Sequence, residues 1–376
     1  MKPTDAQHSA AVVRLSVSEF RCYSNLRLDV EPRPVVLTGP NGAGKTNILE
    51  ALSFLAPGRG LRRCKLSEVA RQDAAQPGWA VAAKVLTDGG MIEIGTGRDG
   101  VSERRLVRID GKPARSQASL GEVVSILWLV PAMDRLFTDS AGGRRRFLDR
   151  LVLGLDPSHG TRASAYEHAL RERSRLLREG RREKAWLDAL EDAMTQHGVA
   201  LAVARRNAAA RLNQACADGV GPFPAAGLRL VGAIDDRLAE DGAEAAEIWL
   251  RQRLAASRDR EEVDFGPHRS DLAVTHRPKD QPAQLCSTGE QKALLLSILL
   301  AQARLQRALR GLPPILLLDE VAAHLDQERR QALWDELDAM GLQSWMTGTD
   351  RELFADLGER GQFFDVAEGQ VRGTLQ

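Results

Sequence analysis

The chain is poor in aromatic residues and in cysteine: Phe, Trp and Tyr make up 5% of its 376 residues, and Cys occurs 4 times. Cys22, Cys64, Cys216 and Cys286 are scattered with no Cys-x-x-Cys pair, which argues against a zinc ribbon and a disulfide framework. An excess of one charge is also missing, with 52 basic residues against 51 acidic. Any nucleic-acid surface must therefore be a local patch and not a global field. Long apolar runs are lacking; residues 293–301 form one of the longest, far too short to span a bilayer. The first eleven residues are polar and carry no apolar signal core. No internal repeat or low-complexity tract stands out. These absences point to a cytoplasmic machine whose length suggests two lobes.

What is present is concentrated in three motifs. Gly39-Pro40-Asn41-Gly42-Ala43-Gly44-Lys45-Thr46 follows the apolar Val35-Val36-Leu37 and precedes the helical stretch Asn47-Ile48-Leu49-Glu50-Ala51-Leu52. Strand, loop and helix in that order make a Walker A site: glycines let backbone N–H groups turn onto a phosphate at a helix N-terminus. Lys45 is then placed to reach the β- and γ-phosphates of ATP, and Thr46 to bring its hydroxyl to Mg²⁺. Pro314-Ile315-Leu316-Leu317-Leu318 reads as a central parallel strand ending in Asp319-Glu320. There Asp319 is the candidate for the Mg²⁺ shell and Glu320 for polarising the attacking water. Between them in sequence lies Ser287-Thr288-Gly289-Glu290-Gln291, a signature-like Ser-x-Gly-x-Gln. This order is that of ABC-type ATPases, in which two copies sandwich ATP. Ser287, Gly289 and Gln291 are thus expected to face the nucleotide of a second copy.

Smaller pieces agree. Val321-Ala322-Ala323-His324-Leu325-Asp326 matches a D-loop, with His324 either at the nucleotide or at the interface. The segment Met346-Thr347-Gly348-Thr349-Asp350 lies where a switch histidine usually sits, yet holds none; Thr347 and Thr349 are the substitutes.

The predicted fold is α/β: an ABC-type P-loop ATPase lobe with mixed sheet and an inserted, mainly helical lobe. Residues 1–115 alternate short apolar strands with turns and carry Walker A; 116–264 read as helical; 265–376 resume the ATPase lobe with signature, Walker B and D-loop. Within the insert, 163–179 and 184–217 form a helical hairpin broken near Gly180, packed through Leu170, Leu177, Trp186, Leu187, Leu190 and Met194. The six tryptophans read as packing residues. The hairpin is short and has no sustained heptads, unlike the long arms of chromosome-organising relatives. No glutamine of the transporter type lies near Leu129–Phe137.

Six segments together resemble the RecF family of bacterial DNA-repair ATPases across nearly the whole chain. They are Phe20-Arg21-Cys22-Tyr23-Ser24-Asn25-Leu26, the Walker A region through Leu49-Glu50-Ala51, Gly58-Arg59-Gly60-Leu61-Arg62, Arg144-Arg145-Arg146-Phe147-Leu148-Asp149, Gly266-Pro267-His268-Arg269-Ser270-Asp271, and Ser287 through Lys292. Two positions depart from the family pattern: Ala132 stands where an acidic residue usually follows the proline, and the D-loop reads Ala-His-Leu-Asp. The resemblance implies ATP-dependent homodimerisation on single-stranded or gapped DNA without sequence specificity. It also implies weak DNA-stimulated ATP hydrolysis as a conformational switch, and cooperation with RecR and RecO in recombinase loading and SOS induction.

Three basic clusters are the candidate DNA surfaces: Arg59, Arg62 and Arg63 with Lys65; residues 171–184, with seven basic against three acidic; and Arg144-Arg145-Arg146. Guanidinium pairs bidentately with phosphate, but the same residues also serve as solvated helix faces with i,i+4 partners. Phe20 and Arg21 are candidates for bracing the nucleotide, with Phe20 equally readable as core. His268 and Arg269 either order their loop or touch a ligand. A second functional reading is an ABC-type nucleotide-binding engine for a transporter or another protein complex, without direct DNA binding.

Overall fold

The computed structural model describes residues 10–73, 78–217 and 219–373; the polar stretch at residues 1–9 lies outside them. The chain opens with β1 (Ala11–Phe20) and β2 (Tyr23–Asp29), then β3 (Val35–Thr38) leads through the glycine loop into α1 (Lys45–Ser53). β4 (Trp79–Thr87), β5 (Gly90–Arg98), β6 (Leu106–Ile109) and β7 (Lys112–Pro113) follow, then the short α2 (Leu120–Val123) and β8 (Ile126–Leu129). Next come α3 (Ala141–Leu155), α4 (His159–Arg178), α5 (Lys184–Ala215), β9 (Ala226–Val231), α6 (Ala233–Glu240) and α7 (Gly242–Ala256). The last part holds β10 (Asp271–His276), β11 (Gln281–Pro282), α8 (Thr288–Arg310), β12 (Ile315–Leu318), α9 (Gln327–Ala339), β13 (Ser344–Gly348), β14 (Gln362–Ala367) and β15 (Gln370–Gly373).

The chain divides into two compact units. One is drawn from Met1–Asp134, Gly221–Phe223 and Ala303–Gln376, the other from Arg135–Val220 and Pro224–Gln302. The first unit holds two sheets. An antiparallel sheet runs in the order β2-β1-β4-β5-β6-β7. Its strands alternate: in β1, Leu15 and Val17 point to the core while Arg14, Ser16 and Ser18 are only partly covered. The second sheet runs β15-β14-β3-β13-β12-β8, parallel throughout except for the terminal β14–β15 hairpin. Its central strands are short and wholly buried, the pattern of strands covered on both faces.

In this parallel sheet β13 lies between β3, the Walker A strand, and β12, the Walker B strand. All three run in the same direction, so the glycine loop, Asp319-Glu320 and Thr347 emerge from one edge. That is the edge where open α/β sheets collect ligands. β8 pairs with the Walker B strand, Leu318 opposite Leu129. The sequence reading placed residues 126–129 in a helical region; four buried apolar residues in a row carry no periodicity to tell strand from helix.

The second unit is mainly helical, with a small sheet of order β11-β10-β9. α4 and α5 are the expected hairpin, turning through Gly180 at φ 70°. Leu177, Leu187 and Met194 are buried in it as anticipated. Trp186 is not: it is 42% exposed, and the Arg181 guanidinium lies 4.7 Å over its ring. A cation–π lid on the surface replaces the expected core contact. No helix among the described residues is long and apolar enough to cross a membrane.

Candidate functional site

The glycine loop is shaped by its backbone. Gly39, Gly42 and Gly44 have φ of 145°, 81° and 112°, values that side chains with a Cβ rarely adopt. At Gly39 a Cβ would fall 2.1 Å from the Val366 carbonyl oxygen, and at Gly44 2.6 Å from Tyr23 Oη, so both are also excluded by space. Gly44 caps α1 without any side-chain cap; in the first turn the Asn47 N–H donates to the Gly44 carbonyl at 2.9 Å, and the helix start ahead of it is the end that suits an anion. Tyr23 Oη donates to the Gly44 carbonyl at 3.2 Å.

Lys45 is 5% exposed, and its Nζ donates to the carbonyls of Gly39 and Pro40 at 2.6 and 2.9 Å. Burial lowers its pKa, against the opposing pull of Glu320 and Asp319. Thr46 Oγ1 donates toward both Asp319 carboxylate oxygens, at 3.0 and 3.1 Å. The Walker A hydroxyl and the Walker B carboxylate, 273 residues apart in sequence, therefore share one hydrogen bond. Asp319 is 6% exposed and receives a second hydroxyl, from Thr347, at 2.6 Å. The same Thr347 Oγ1 accepts the Glu320 N–H at 2.9 Å. Of the two threonines that stand in for a switch histidine, Thr347 is buried against the acidic pair and Thr349 is exposed. The side chain of His324 lies outside the described residues.

The signature belongs to the second unit. Ser287 is a helix N-cap in a reciprocal capping box with Glu290: Ser287 N–H and Oγ both donate to Glu290 Oε2, at 2.9 and 3.0 Å. Glu290 N–H returns to Ser287 Oγ at 3.4 Å. The Glu290 carboxylate also pairs with Lys279; that contact, then the Ser287 bonds, holds its pKa down at about 2. Gly289 has nothing within 4 Å of where a Cβ would stand. Its lack of a side chain therefore serves no internal packing and leaves the helix start open from outside. Gln291 turns inward, 4% exposed, with Nε2 on the Cys286 carbonyl at 2.9 Å, so it braces the loop.

Residues 11–368 match the RecF/RecN/SMC N terminal domain family. The chain is 50% identical over 376 residues to the DNA replication and repair protein RecF of Rhizobium meliloti, covering 97% of this chain and all of that one. It is also 50% identical to the protein of that name from Brucella suis, over 96% of each chain. The chain belongs to the RecF family.

Solved structures agree on the fold. This RecF-family chain superposes on a structure described as the recombination mediator protein RecF-ATPrS in the RecFOR pathway, with TM-score 0.83 at 20% identity, over 99% of this chain and 100% of that one. It also superposes on an Smc head bound to the C-winged helix domain of ScpA, with TM-score 0.56 at 15% identity, over 97% of each. Family membership favours the DNA-repair reading over the transporter engine.

Several residues that carry the RecF resemblance have internal duties. Arg144 forms a bidentate pair with Asp271, at 2.7 and 2.8 Å, and Arg145 Nη1 donates to the Ser270 carbonyl at 2.7 Å. Asp149 is held by Arg205 at 2.7 and 2.8 Å and by His159 at 2.8 Å. His268 uses both ring nitrogens, on Tyr166 Oη at 2.7 Å and on the Val263 carbonyl at 2.9 Å; Arg269 Nε reaches that same carbonyl at 3.1 Å. Burial lowers the His268 pKa, with neighbouring Arg269, Arg145 and Arg205 acting the same way. These two motifs tie α3 to the loop before β10: Arg144 and Arg145 of the candidate DNA cluster are engaged within the chain, Arg146 is exposed, and His268 orders its loop.

Six of the seven basic residues in the arm stretch are likewise paired within the chain, and Arg182 is exposed. Arg173 is fully buried against Glu191 at 3.0 Å, and Arg171, Arg175, Arg178, Arg181 and Lys184 each face a carboxylate. The solvated-helix reading fits the exposed members, while Arg173 is a buried ion-pair partner.

The cluster after α1 is divided. Arg59 and Arg63 are exposed. Arg62 Nη1 donates to Glu50 Oε2 at 2.7 Å and to Asn47 Oδ1 at 2.8 Å. Glu50, fully buried on α1, also takes Arg21 Nε at 2.9 Å and Arg21 Nη2 at 2.7 Å. Phe20 is core: its ring meets Phe54 and Trp79 edge-on at 5.9 and 5.6 Å. Arg105 escaped the sequence reading. Buried with no carboxylate paired to it among the described residues, it donates to the carbonyls of Phe54, Ala56 and Gly58 and so caps the end of α1. An arginine in a turn-rich stretch carries no sequence signal for that task.

Proposed function

We propose that this chain is an ATP-gated DNA replication and repair switch of the cytoplasm that closes as a homodimer around two nucleotides and holds single-stranded or gapped DNA. The observation that carries the reading is the Thr46–Asp319 hydrogen bond, which joins Walker A to Walker B in one oxygen-lined site. A hydroxyl and a carboxylate, both hard oxygen donors, suit Mg²⁺. Thr46 and Asp319 are the residues to hold it, and when bound it neutralises charge between the β- and γ-phosphates. Residues 39–46 wrap the phosphates with backbone N–H groups, Lys45 leaves its carbonyl partners for the β- and γ-oxygens, and Glu320 polarises the attacking water. Arg21, held by Glu50 in the middle of α1, is kept as a candidate further cation on the nucleotide side.

The second half of each site comes from the other copy. Support lies in Gly289, whose missing side chain is explained by an approach from outside, and in Ser287, which the capping box holds at the start of α8. Gln291 supports that loop from within. Arg59, Arg62 and Arg63 are the proposed DNA contacts, and mediators of the RecR and RecO type the proposed partners, in keeping with the RecFOR setting of the related structure. The nucleotide-binding core of this switch is read as the unit of Met1–Asp134, Gly221–Phe223 and Ala303–Gln376; the unit of Arg135–Val220 and Pro224–Gln302, offset from the insert read at 116–264, carries the signature.

The test is sedimentation with ATP, with and without gapped DNA. Glu320→Gln keeps the shape of the site but loses the polarising carboxylate. It should accumulate as an ATP-locked dimer on DNA, with turnover reduced about 100-fold, the scale of losing a positioned general base. Lys45→Ala should neither dimerise nor be retained. A Glu320→Gln protein that binds ATP and stays monomeric would sink the clamp mechanism.

A further inference from the structure

Asp319 and Glu320 are adjacent in sequence, and in an extended strand their side chains would point to opposite faces. The chain avoids this by turning at Glu320 into the left-handed region, φ 52°, which is strained for a residue with a Cβ. One hydroxyl stands at that turn. Thr347 is the next-to-last residue of β13, the strand between the two Walker strands, and is 0% exposed. Its Oγ1 donates its single proton to Asp319 Oδ1 at 2.6 Å and accepts the Glu320 N–H at 2.9 Å. A threonine hydroxyl has one proton and free lone pairs, so this geometry uses it as donor and acceptor at once. The Asp319 carboxylate thereby has two hydroxyl donors, Thr46 from the Walker A side and Thr347 from β13.

We infer that Thr347 is the positioning residue of the acidic pair. It fixes the carboxylate of Asp319 and the left-handed backbone of Glu320 together, and so sets the rate of hydrolysis without itself holding nucleotide. The role differs from that of a residue sensing the γ-phosphate, because the Thr347 hydroxyl is already committed in both directions. The inference rests on reading the site as an ATPase.

The experiment compares wild type, Thr347→Val and Thr347→Ser in the full chain with Mg²⁺. Valine keeps the shape and removes the hydroxyl; serine keeps the hydroxyl and removes a methyl. Nucleotide affinity is measured with a fluorescent ATP analogue, and hydrolysis by single turnover with protein in excess. Thr347→Val should hydrolyse roughly 10-fold or more slowly while its nucleotide affinity stays within about threefold of wild type. Thr347→Ser should recover to within about threefold of the wild-type rate. Hydrolysis by Thr347→Val at the wild-type rate would overturn the inference. So would equal loss in the valine and serine variants, which would mean a packing role, or loss of affinity in step with turnover. Wild type that neither binds nor hydrolyses ATP would instead overturn the proposed function itself.

Discussion

Replacing Glu50 with alanine tests how the Walker A helix is held. The Glu50 carboxylate is 0% exposed and accepts two hydrogen bonds from Arg21, one from Arg62 and a longer one from Cys64 Sγ at 3.8 Å. Arg21 is 19% exposed in its side chain and Arg62 41%. Removing the carboxylate leaves a largely buried guanidinium with only the Glu68 carbonyl and the Cys64 sulfur as partners, a loss of about 3–5 kcal/mol when a buried pair is broken from one side. Arg62 is screened by water, so Arg62→Ala should cost about 0–1 kcal/mol, and Glu50 would still be met by Arg21. For a unit of this size each kcal/mol moves the midpoint by about 2–4 °C, which makes the expected fall for Glu50→Ala roughly 6–20 °C. Thermal unfolding of both variants, followed by ATP titration below the midpoint, gives the comparison. The reasoning fails if Glu50→Ala unfolds within a degree or two of wild type, or if Arg62→Ala is as damaging as Glu50→Ala. The second result would mean that Arg62 is structural and not available to a phosphate.

Three further outcomes are expected. Ser287→Arg should bind ATP as wild type does yet fail to dimerise in sedimentation, because the added bulk and charge face outward from α8; equal loss of monomer ATP binding would show that the signature serves its own chain. Changing Arg59, Arg62 and Arg63 to alanine should flatten the dependence of log DNA affinity on log salt by about 0.9 for each phosphate no longer neutralised, and an unchanged slope would move the DNA surface elsewhere. For Asp149, burial alone would raise the pKa, but the bonds from His159 and Arg205 bring it down to about 2. A carboxyl lowered on folding stabilises above its ordinary value of about 3.9 and loses that contribution as pH falls through the folded value. Asp149→Asn should therefore show a flatter loss of urea resistance between about pH 4 and pH 2 than wild type, and parallel curves would refute the assignment.

The amino-acid sequence alone determined the nucleotide machinery because that chemistry is local. A phosphate loop needs its glycines, lysine and threonine on consecutive residues, and a Walker B strand needs its acids at the end of one apolar run. The helical hairpin was legible for the same reason: its apolar spacing repeats over many turns, and Gly180 breaks it where φ is positive. What the sequence could not decide was the use of each polar side chain once distant segments met. For Arg144, His268 and the arm arginines a linear reading leaves ligand contact and internal pairing both open, and folding gives them Asp271, Tyr166 and neighbouring carboxylates. β8 shows the same limit for backbone: four buried residues have no period, and only pairing with β12 makes them a strand. The sequence marks Thr347 only as one of two candidates for the place of a missing switch histidine. Its double hydrogen bond exists because β13 inserts between the two Walker strands, a placement set by sheet order and carried by no motif.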